Sequence, residues 1–305
     1  MAPSVLLIGA GGAFGQPLTE EFIRKRSKFD RIAILAATEE KTSKFKYAQE
    51  DGVEIVIGSF LDPNVYKGFS HVISTVGNSI MRLQPGMIEA AIIGGVQHFY
   101  PSEWNSDISQ KAIYGLRYFR DKQVTRDHLV AKAKGVPGFR YTIFITGIFT
   151  EWSVLEFYGF DHKKHTVKVY GKPDARVGLT SIPDIARYTV DSLLIPFEAT
   201  GRDGAERVIR VGGEITTFQR VVDLLGEARD VKYSVTYVDP SEAITKEEEA
   251  RLNGDEEAQM AWSIVPLISS GFGVPDGIPG SKLDNDRFSF IPEKVHETFQ
   301  RVYKH

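Results

Sequence analysis

A doubly wound α/β fold, a parallel sheet with a smaller lobe after it, is what the sequence predicts. Three observations carry that reading. Short apolar runs alternate with helix-spaced segments through the first 150 residues. Several of those runs are apolar on both faces, as strands covered by helices on both sides must be. The first run leads straight into a cluster of glycines. Composition agrees: 305 residues, 42% hydrophobic and 25% charged, fit a globular protein with a full core, either one large domain or a main domain with a smaller one attached.

Element by element, Val5-Leu6-Leu7-Ile8 is unbroken apolar chain, so the spacing predicts a buried strand over Val5–Gly9. Further strands are expected at Arg31–Ala36, Glu54–Gly58, His71–Val76, His98–Pro101 and Tyr141–Thr146. Helical spacing fills the gaps at Pro17–Arg26, Thr42–Glu50, Asn64–Phe69, Gln84–Gly94 and Tyr118–Lys134. This gives a nucleotide-binding domain over 1–150 and a smaller substrate lobe over 151–305, partly interleaved with the first. In that lobe Val167–Tyr170 and Arg207–Val211 read as strands, and Pro183–Leu194, Thr217–Ala228 and Pro240–Leu252 as helices. The segment 267–283, rich in Gly, Pro and Ser, is expected to be a mobile loop over a ligand.

Charge and cysteine content exclude several functions. A net charge of −3 offers no basic field for nucleic acid or an anionic membrane. With no cysteine there is no disulfide, thiolate metal site or cysteine nucleophile. His98, His128, His162 and His165 show no ligand spacing with carboxylates, so no metal is expected. No charged leader precedes the first strand and no apolar run approaches the roughly 18 residues a membrane span needs, so a soluble cytoplasmic protein, monomer or homodimer, is the expectation.

The strand-to-glycine passage is the clearest motif. In Gly9-Ala10-Gly11-Gly12-Ala13-Phe14-Gly15 the glycines at 9, 12 and 15 allow a tight turn, close approach of backbone amides to a diphosphate, and close packing of helix on sheet. Its position directly after the first strand of an alternating chain is the context a dinucleotide site of the Rossmann type requires. The second strand ends in Leu35-Ala36-Ala37-Thr38, with no acid before Glu39 and Glu40. A carboxylate there would hold the ribose of NAD(H) and repel the 2′-phosphate of NADP(H). Its absence favours NADP(H) over NAD(H), with Thr38, Lys41 and Lys44 as candidate phosphate contacts.

Catalytic candidates follow the fifth strand. Ser102 lies in Tyr100-Pro101-Ser102-Glu103-Trp104, where open α/β sheets bind ligands. Tyr118 and Lys122 stand four residues apart at the start of the next predicted helix, a spacing that puts both on one face. Ser102, Tyr118 and Lys122 are the residue types of a carbonyl-reducing site: a hydroxyl to orient the oxygen, a phenol to deliver a proton, and an ammonium to lower the phenol's pKa and hold the ribose. Trp104, Phe149, Trp152, Phe157, Tyr158, Trp262 and Phe272 are candidates for an apolar wall around an aromatic or polyketide-like substrate.

Together these segments resemble the NmrA-like, isoflavone-reductase-like family of atypical short-chain dehydrogenases/reductases, most clearly over residues 3–150. Besides the glycine loop, the resemblance rests on Val72-Ile73-Ser74-Thr75-Val76-Gly77, on Gln84 with Ile88-Glu89-Ala90-Ala91, and on Pro101-Ser102-Glu103-Trp104, similar to the family's PSEF segment. It rests further on Phe119-Arg120-Asp121-Lys122, on Gly147-Ile148-Phe149 and on Ile182-Pro183-Asp184-Ile185-Ala186. It implies an NADPH-dependent reductase of aromatic or phenylpropanoid-like molecules, with Lys122 as general acid/base, Thr75, Val76 and Gly77 against the cofactor, and Gly147 and Phe149 beside the nicotinamide. Two departures are Ala36-Ala37-Thr38 where the family carries an Arg, and Asn105 where many members carry Gly. The reading is therefore a reductase of a C=O, activated C=C or C=N bond. A dinucleotide-sensing regulator without catalysis and a cofactor-assisted isomerase or cyclase are the alternatives.

Overall fold

The structure is a computed structural model that describes residues 2–201, 204–272 and 274–304. Its strands are β1 (Ser4–Ile8), β2 (Arg31–Ala36), β3 (Glu54–Ile57), β4 (His71–Ser74), β5 (His98–Tyr100), β6 (Trp104–Asn105), β7 (Arg140–Ile145), β8 (Ile148–Phe149), β9 (Phe160–Asp161), β10 (Thr166–Tyr170), β11 (Arg176–Thr180), β12 (Glu206–Arg210), β13 (Glu214–Thr217) and β14 (Ser234–Val238). Its helices are α1 (Gly15–Arg24), α2 (Lys46–Glu50), α3 (Asn78–Met81), α4 (Gln84–Ile93), α5 (Lys111–Tyr114), α6 (Arg120–Gly135), α7 (Ile182–Ser192), α8 (Phe218–Arg229), α9 (Ser241–Leu252), α10 (Glu256–Ile264) and α11 (Val295–Tyr303).

Two compact units interleave along the chain. Met1–Glu103, Asp121–Phe144 and Ile185–Ile209 form the first; Trp104–Arg120, Ile145–Asp184 and Arg210–His305 form the second. The chain therefore makes several crossings from one unit to the other along its length. The expected strand near Arg207–Val211 moves with them: β12 joins the main sheet beside β7, where the Tyr141 amide donates to the Ala205 carbonyl at 3.0 Å.

The first unit holds the sheet β12-β7-β5-β4-β1-β2-β3. β1 pairs in parallel with β2 on one side and β4 on the other, so the strand order reverses direction at β1, the kind of switch point at which open α/β sheets bind ligands beyond the strands' C-terminal ends. The apolar runs explain why these segments lie at the centre: Val5, Leu6, Ile32, Ile34, Val72, Ile73 and Phe99 are fully buried. Helix α1 covers one face through Leu18 and Phe22, four residues apart, and α4 contributes Met87, Ile88 and Ala91. The helix predicted over Thr42–Glu50 is a 3₁₀ stretch at Glu39–Phe45 followed by the α-helical α2, and the one predicted over Asn64–Phe69 is a short 3₁₀ helix at Pro63–Tyr66.

A polar cluster lies inside this unit, at the starts of β4, β5 and β7. The His71 and His98 rings lie with centroids 4.9 Å apart, tilted by 36°, and Arg207, only 1% exposed, donates to the Tyr100 hydroxyl at 2.7 Å and to Thr142 Oγ1 at 3.1 Å. Burial, with Arg140 and Arg207 adding repulsion, holds His71 down at about 4. Burial, His71 and the same arginines hold His98 well below its ordinary range. Both rings fold as neutral imidazoles, whereas in the unfolded chain they take up protons near 6.5. Their contribution to stability is complete above about pH 6.5 and is lost as pH falls toward 4. Urea melts between pH 7 and pH 4 should lose on the order of 3 kcal/mol from His71 alone, and His71→Gln should flatten that slope.

The second unit contains the small sheets β14-β10-β9 and β13-β11-β8. Helices α8 and α11 pack on them through Phe218, Val221, Leu225 and Phe299. Segment 267–283 is anchored over its described residues: Arg210 Nη1 donates to the Pro275 carbonyl at 3.2 Å, Arg176 pairs with Asp276 at 2.9 Å, and Val274 is buried. Residue 273 of that segment lies outside the described residues. Among the described residues no helix is long and apolar enough to cross a membrane.

Candidate active site

The glycine loop sits where β1 ends, in the first unit. Gly9 has φ +87°, and a Cβ there would meet the Thr75 backbone and hydroxyl at 2.9 Å, so only glycine fits. A Cβ on Gly15 would run into the Gly9 carbonyl and Ala10. At Gly12 the nearest atom is the Gly9 carbonyl oxygen, at 3.3 Å, and the Gly12 amide donates to that same oxygen at 3.0 Å. Helix α1 then starts with Phe14 at its N-cap, without a side-chain cap and without an acid in the first turn. Its leading amides and positive dipole end thus face no carboxylate of their own helix, which suits a diphosphate. Thr75 locks the neighbouring strand end: its amide and its hydroxyl both donate to the Ile8 carbonyl, at 2.8 and 3.0 Å. Val76 and Gly77 continue from it, and a Cβ on Gly77 would meet open space.

At the end of β2, Thr38, Lys41 and Lys44 are all exposed. Glu40 folds back so that its carboxylate is held below the ordinary range, first by the Thr38 hydroxyl and then by its own backbone. The strand end that lacks an acid in sequence therefore has one nearby in space. Phe45, buried, lies under Gly11 at 3.5 Å from where its Cβ would be.

The loop after β5 gathers buried polar side chains. Ser102 donates its hydroxyl proton to the Val76 carbonyl at 2.8 Å and its amide to Gln84 Oε1 at 2.9 Å. That hydroxyl ties two strand-end loops together. Its proton is engaged by the Val76 carbonyl. Beside it, Glu103 is 1% exposed and accepts from Arg126 Nε at 2.6 Å. Lys122, 9% exposed, is the third residue of α6 and lies one turn before Arg126 on the same face. Burial pushes the Lys122 ammonium down to about 8, against the pull of Glu103 upward and with Arg126 adding to the fall. Glu103, Arg126 and Gln84 were not singled out as site residues by sequence. Gln84 and Glu103 stand in the motifs that carry the family resemblance, and Arg126 stands four residues after Lys122.

Tyr118 departs from expectation. It lies in the 3₁₀ turn Arg117–Phe119, before α6 begins at Arg120, so it shares no helix face with Lys122. It belongs to the second unit, where its amide donates to the Ser263 hydroxyl at 2.9 Å and its ring packs edge-on to Phe119 at 5.1 Å. The helix begins late because Tyr118 is drawn into the apolar cluster of Ile108, Ile113, Phe119, Ile264 and Leu267.

Of the other second-unit candidates, Gly147 has φ +71° and abuts the Gly178 carbonyl, so strand packing already requires glycine there. Phe149 and Trp152 lie with ring centroids 4.7 Å apart and planes tilted by 44°, Phe149 buried and Trp152 39% exposed. Trp104 is buried, while Phe157 and Phe272 are exposed. Burial, with Tyr118 adding, raises the Tyr158 phenol far above its ordinary value, so it stays neutral. Trp262 sits elsewhere in the unit, edge-on to Tyr170 at 5.7 Å with the Lys246 ammonium 4.2 Å above its ring. It stands on α10 and packs against Tyr170, Ala243 of α9 and Val265. Among the described residues no three His, Asp or Glu side chains come together to hold a metal.

Comparison with known proteins adds to this geometry. Residues 1–256 match the NmrA-like family. A curated relative, oxidoreductase aprR of Aspergillus flavus, is 25% identical over 318 aligned positions that span the whole of both chains. The solved structure of AtPrR2 with NADP+ and (+)pinoresinol superposes with a TM-score of 0.74 at 18% identity, covering 99% of each chain. The triphenylmethane reductase of Citrobacter sp. gives a TM-score of 0.73 at 15% identity, over 99% of this chain and all of the other.

Proposed function

Since the chain belongs to the NmrA-like family, we propose that it is an NADPH-dependent reductase of a small aromatic molecule with Lys122 as proton donor. The observation that carries the reading is the buried Lys122 ammonium, set in the same unit as a glycine cradle in which Gly9 and Gly15 leave no room for a side chain. In this reading Gly9, Gly12, Ala13, Phe14 and Gly15 hold the diphosphate, and Thr75, Val76 and Gly77 line the cofactor. Thr38, Lys41 and Lys44 take the 2′-phosphate. Phe149, Trp152, Trp104 and Tyr158 offer aromatic surface to the substrate, in keeping with relatives whose ligands are pinoresinol and triphenylmethane dyes.

When bound, the reduced nicotinamide supplies a hydride. The protein must then deliver one proton to the oxygen, nitrogen or carbon that receives the bond's electrons, and Lys122 gives it up as an ammonium, is left as an amine, and is reprotonated from water. A group held at about 8 suits this work near neutral pH, being mostly charged yet not strongly reluctant to release its proton. As a general acid it is active below that value, so turnover should fall as pH rises through about 8. A Lys122→Met variant should lack that limb.

Paired fluorescence titrations with NADPH and NADH, followed by screening for loss of nicotinamide absorbance with aromatic ketones, enones and imines, test the reading. NADPH should bind more tightly, and Lys41→Ala with Lys44→Ala should weaken it by roughly tenfold while leaving NADH nearly unchanged. The observation favouring the second reading, a dinucleotide sensor, is Glu40 beside Thr38: a carboxylate there narrows the difference between the two cofactors. Equal binding of both without turnover of any substrate would select the sensor.

A further inference from the structure

We propose that Glu103, clamped by Arg126, is a positioning residue that fixes the Lys122 ammonium and keeps it protonated until transfer. This rests on the reading of Lys122 as proton donor and extends it to the groups that govern that proton.

The geometry is specific. Glu103 follows Ser102 directly, and Ser102 is pinned on both sides, by Val76 through its hydroxyl and by Gln84 through its amide. The backbone at 103 therefore has little freedom, and its carboxylate is delivered to α6 almost fully buried. There Arg126 Nε holds one carboxylate oxygen at 2.6 Å, one helical turn from Lys122. Lys122 needs such a partner. It is buried, and it stands in the first turn of α6, where the helix dipole is positive and disfavours a cation. Without a carboxylate close by, both effects would drive the ammonium to a neutral amine with no proton to give.

Two formal charges act on Lys122 from different elements: Glu103 from the loop after β5, and Arg126 from its own helix. Their actions are opposed. Glu103 raises the proton affinity of Lys122, and Arg126 lowers it both directly and by occupying the carboxylate. Helix α4 also faces α6, but its Glu89 is engaged further along, with His128 at 3.1 Å and with Lys132 at 2.5 Å. Glu103, Arg126 and Lys122 thus form a three-charge device in which the arginine tempers the carboxylate.

The test is a direct titration of Lys122 in the full chain without cofactor or substrate. Protein carrying ¹³C-labelled lysine is followed by the Lys122 ¹³Cε chemical shift, assigned by its absence in Lys122→Met. Glu103→Gln, nearly isosteric, should lower the midpoint by about one unit or more. Arg126→Gln should move it the other way, by about half a unit. A residue that only supports the loop would change melting temperature without moving the midpoint, or would move it the same way in both variants, and either result overturns the proposal. Should Glu103→Gln fail to fold, Arg126→Gln decides alone: a midpoint that stays or falls refutes the device. Because no turnover is involved, failure here is distinct from failure of the reductase reading, which would show as absence of hydride transfer in an otherwise normal titration.

Discussion

Lys122→Ala is expected to lower turnover by about 10²–10⁴-fold, the usual contribution of a positioned acid or base, while NADPH affinity changes by less than about threefold. The separation follows from where Lys122 stands. Its ammonium is buried on α6 beside Glu103, whereas the diphosphate cradle is built from the backbone of Gly9–Gly15 and the strand end at Thr75. Truncating the side chain removes the proton source and leaves that backbone in place. Steady-state rates and a fluorescence titration on the same preparation check both halves. A loss of less than fivefold in rate would remove Lys122 from the chemistry, and an equal loss in rate and in cofactor binding would make it a binding residue only.

Gly15→Val is expected to have the largest effect on the scaffold. A Cβ at this position would collide with the Gly9 carbonyl and approach the Ala10 Cα within 2.7 Å, and both are backbone atoms that cannot swing aside. Helix α1 would have to move off β1, opening the tight turn that presents the leading amides. A destabilisation of about 2–4 kcal/mol is expected, seen as a fall in melting temperature of about 5 °C or more, with dinucleotide affinity down at least ~100-fold. Gly77→Ala is the control: a Cβ there meets nothing, so stability should be nearly unchanged. If Gly15→Val melted like the parent and still bound NADPH, the close packing of loop on helix would not be what holds the cradle.

Much of the first unit was legible because its signals are local. β2 falls at Arg31–Ala36 as the apolar run predicts, and the glycine loop lies between β1 and α1 as its spacing requires. The rest depended on contacts between distant segments. The interleaving of the units rests on segments such as 104–120 and 185–209 leaving one body for the other, which no periodicity encodes. Tyr118 shows the same limit at one residue: four-residue spacing to Lys122 is correct for a helix, but the helix starts only at Arg120, because Ser263, 145 residues downstream, and an apolar cluster that includes Ile264 and Leu267 take hold of the preceding turn. Ser102 was found as a hydroxyl at the right strand end, yet its proton goes to Val76, a partner visible only in three dimensions. Short strands such as β11 and β13 were missed because their residues lie between glycines and turns and pair only across the second unit.

The central claim is that hydride passes from a bound nicotinamide to a substrate while Lys122 supplies the proton. It is tested most directly by incubating the protein with 4-deuterated NADPH and aromatic enones, ketones and imines, and reading the products by mass spectrometry. The expected result is a reduced product carrying one deuterium from the cofactor, formed in step with NADPH loss and suppressed in Lys122→Ala. Product formed without deuterium or net NADPH loss would mean an isomerase or cyclase, and tight NADPH binding with no product from any acceptor class would mean a sensor.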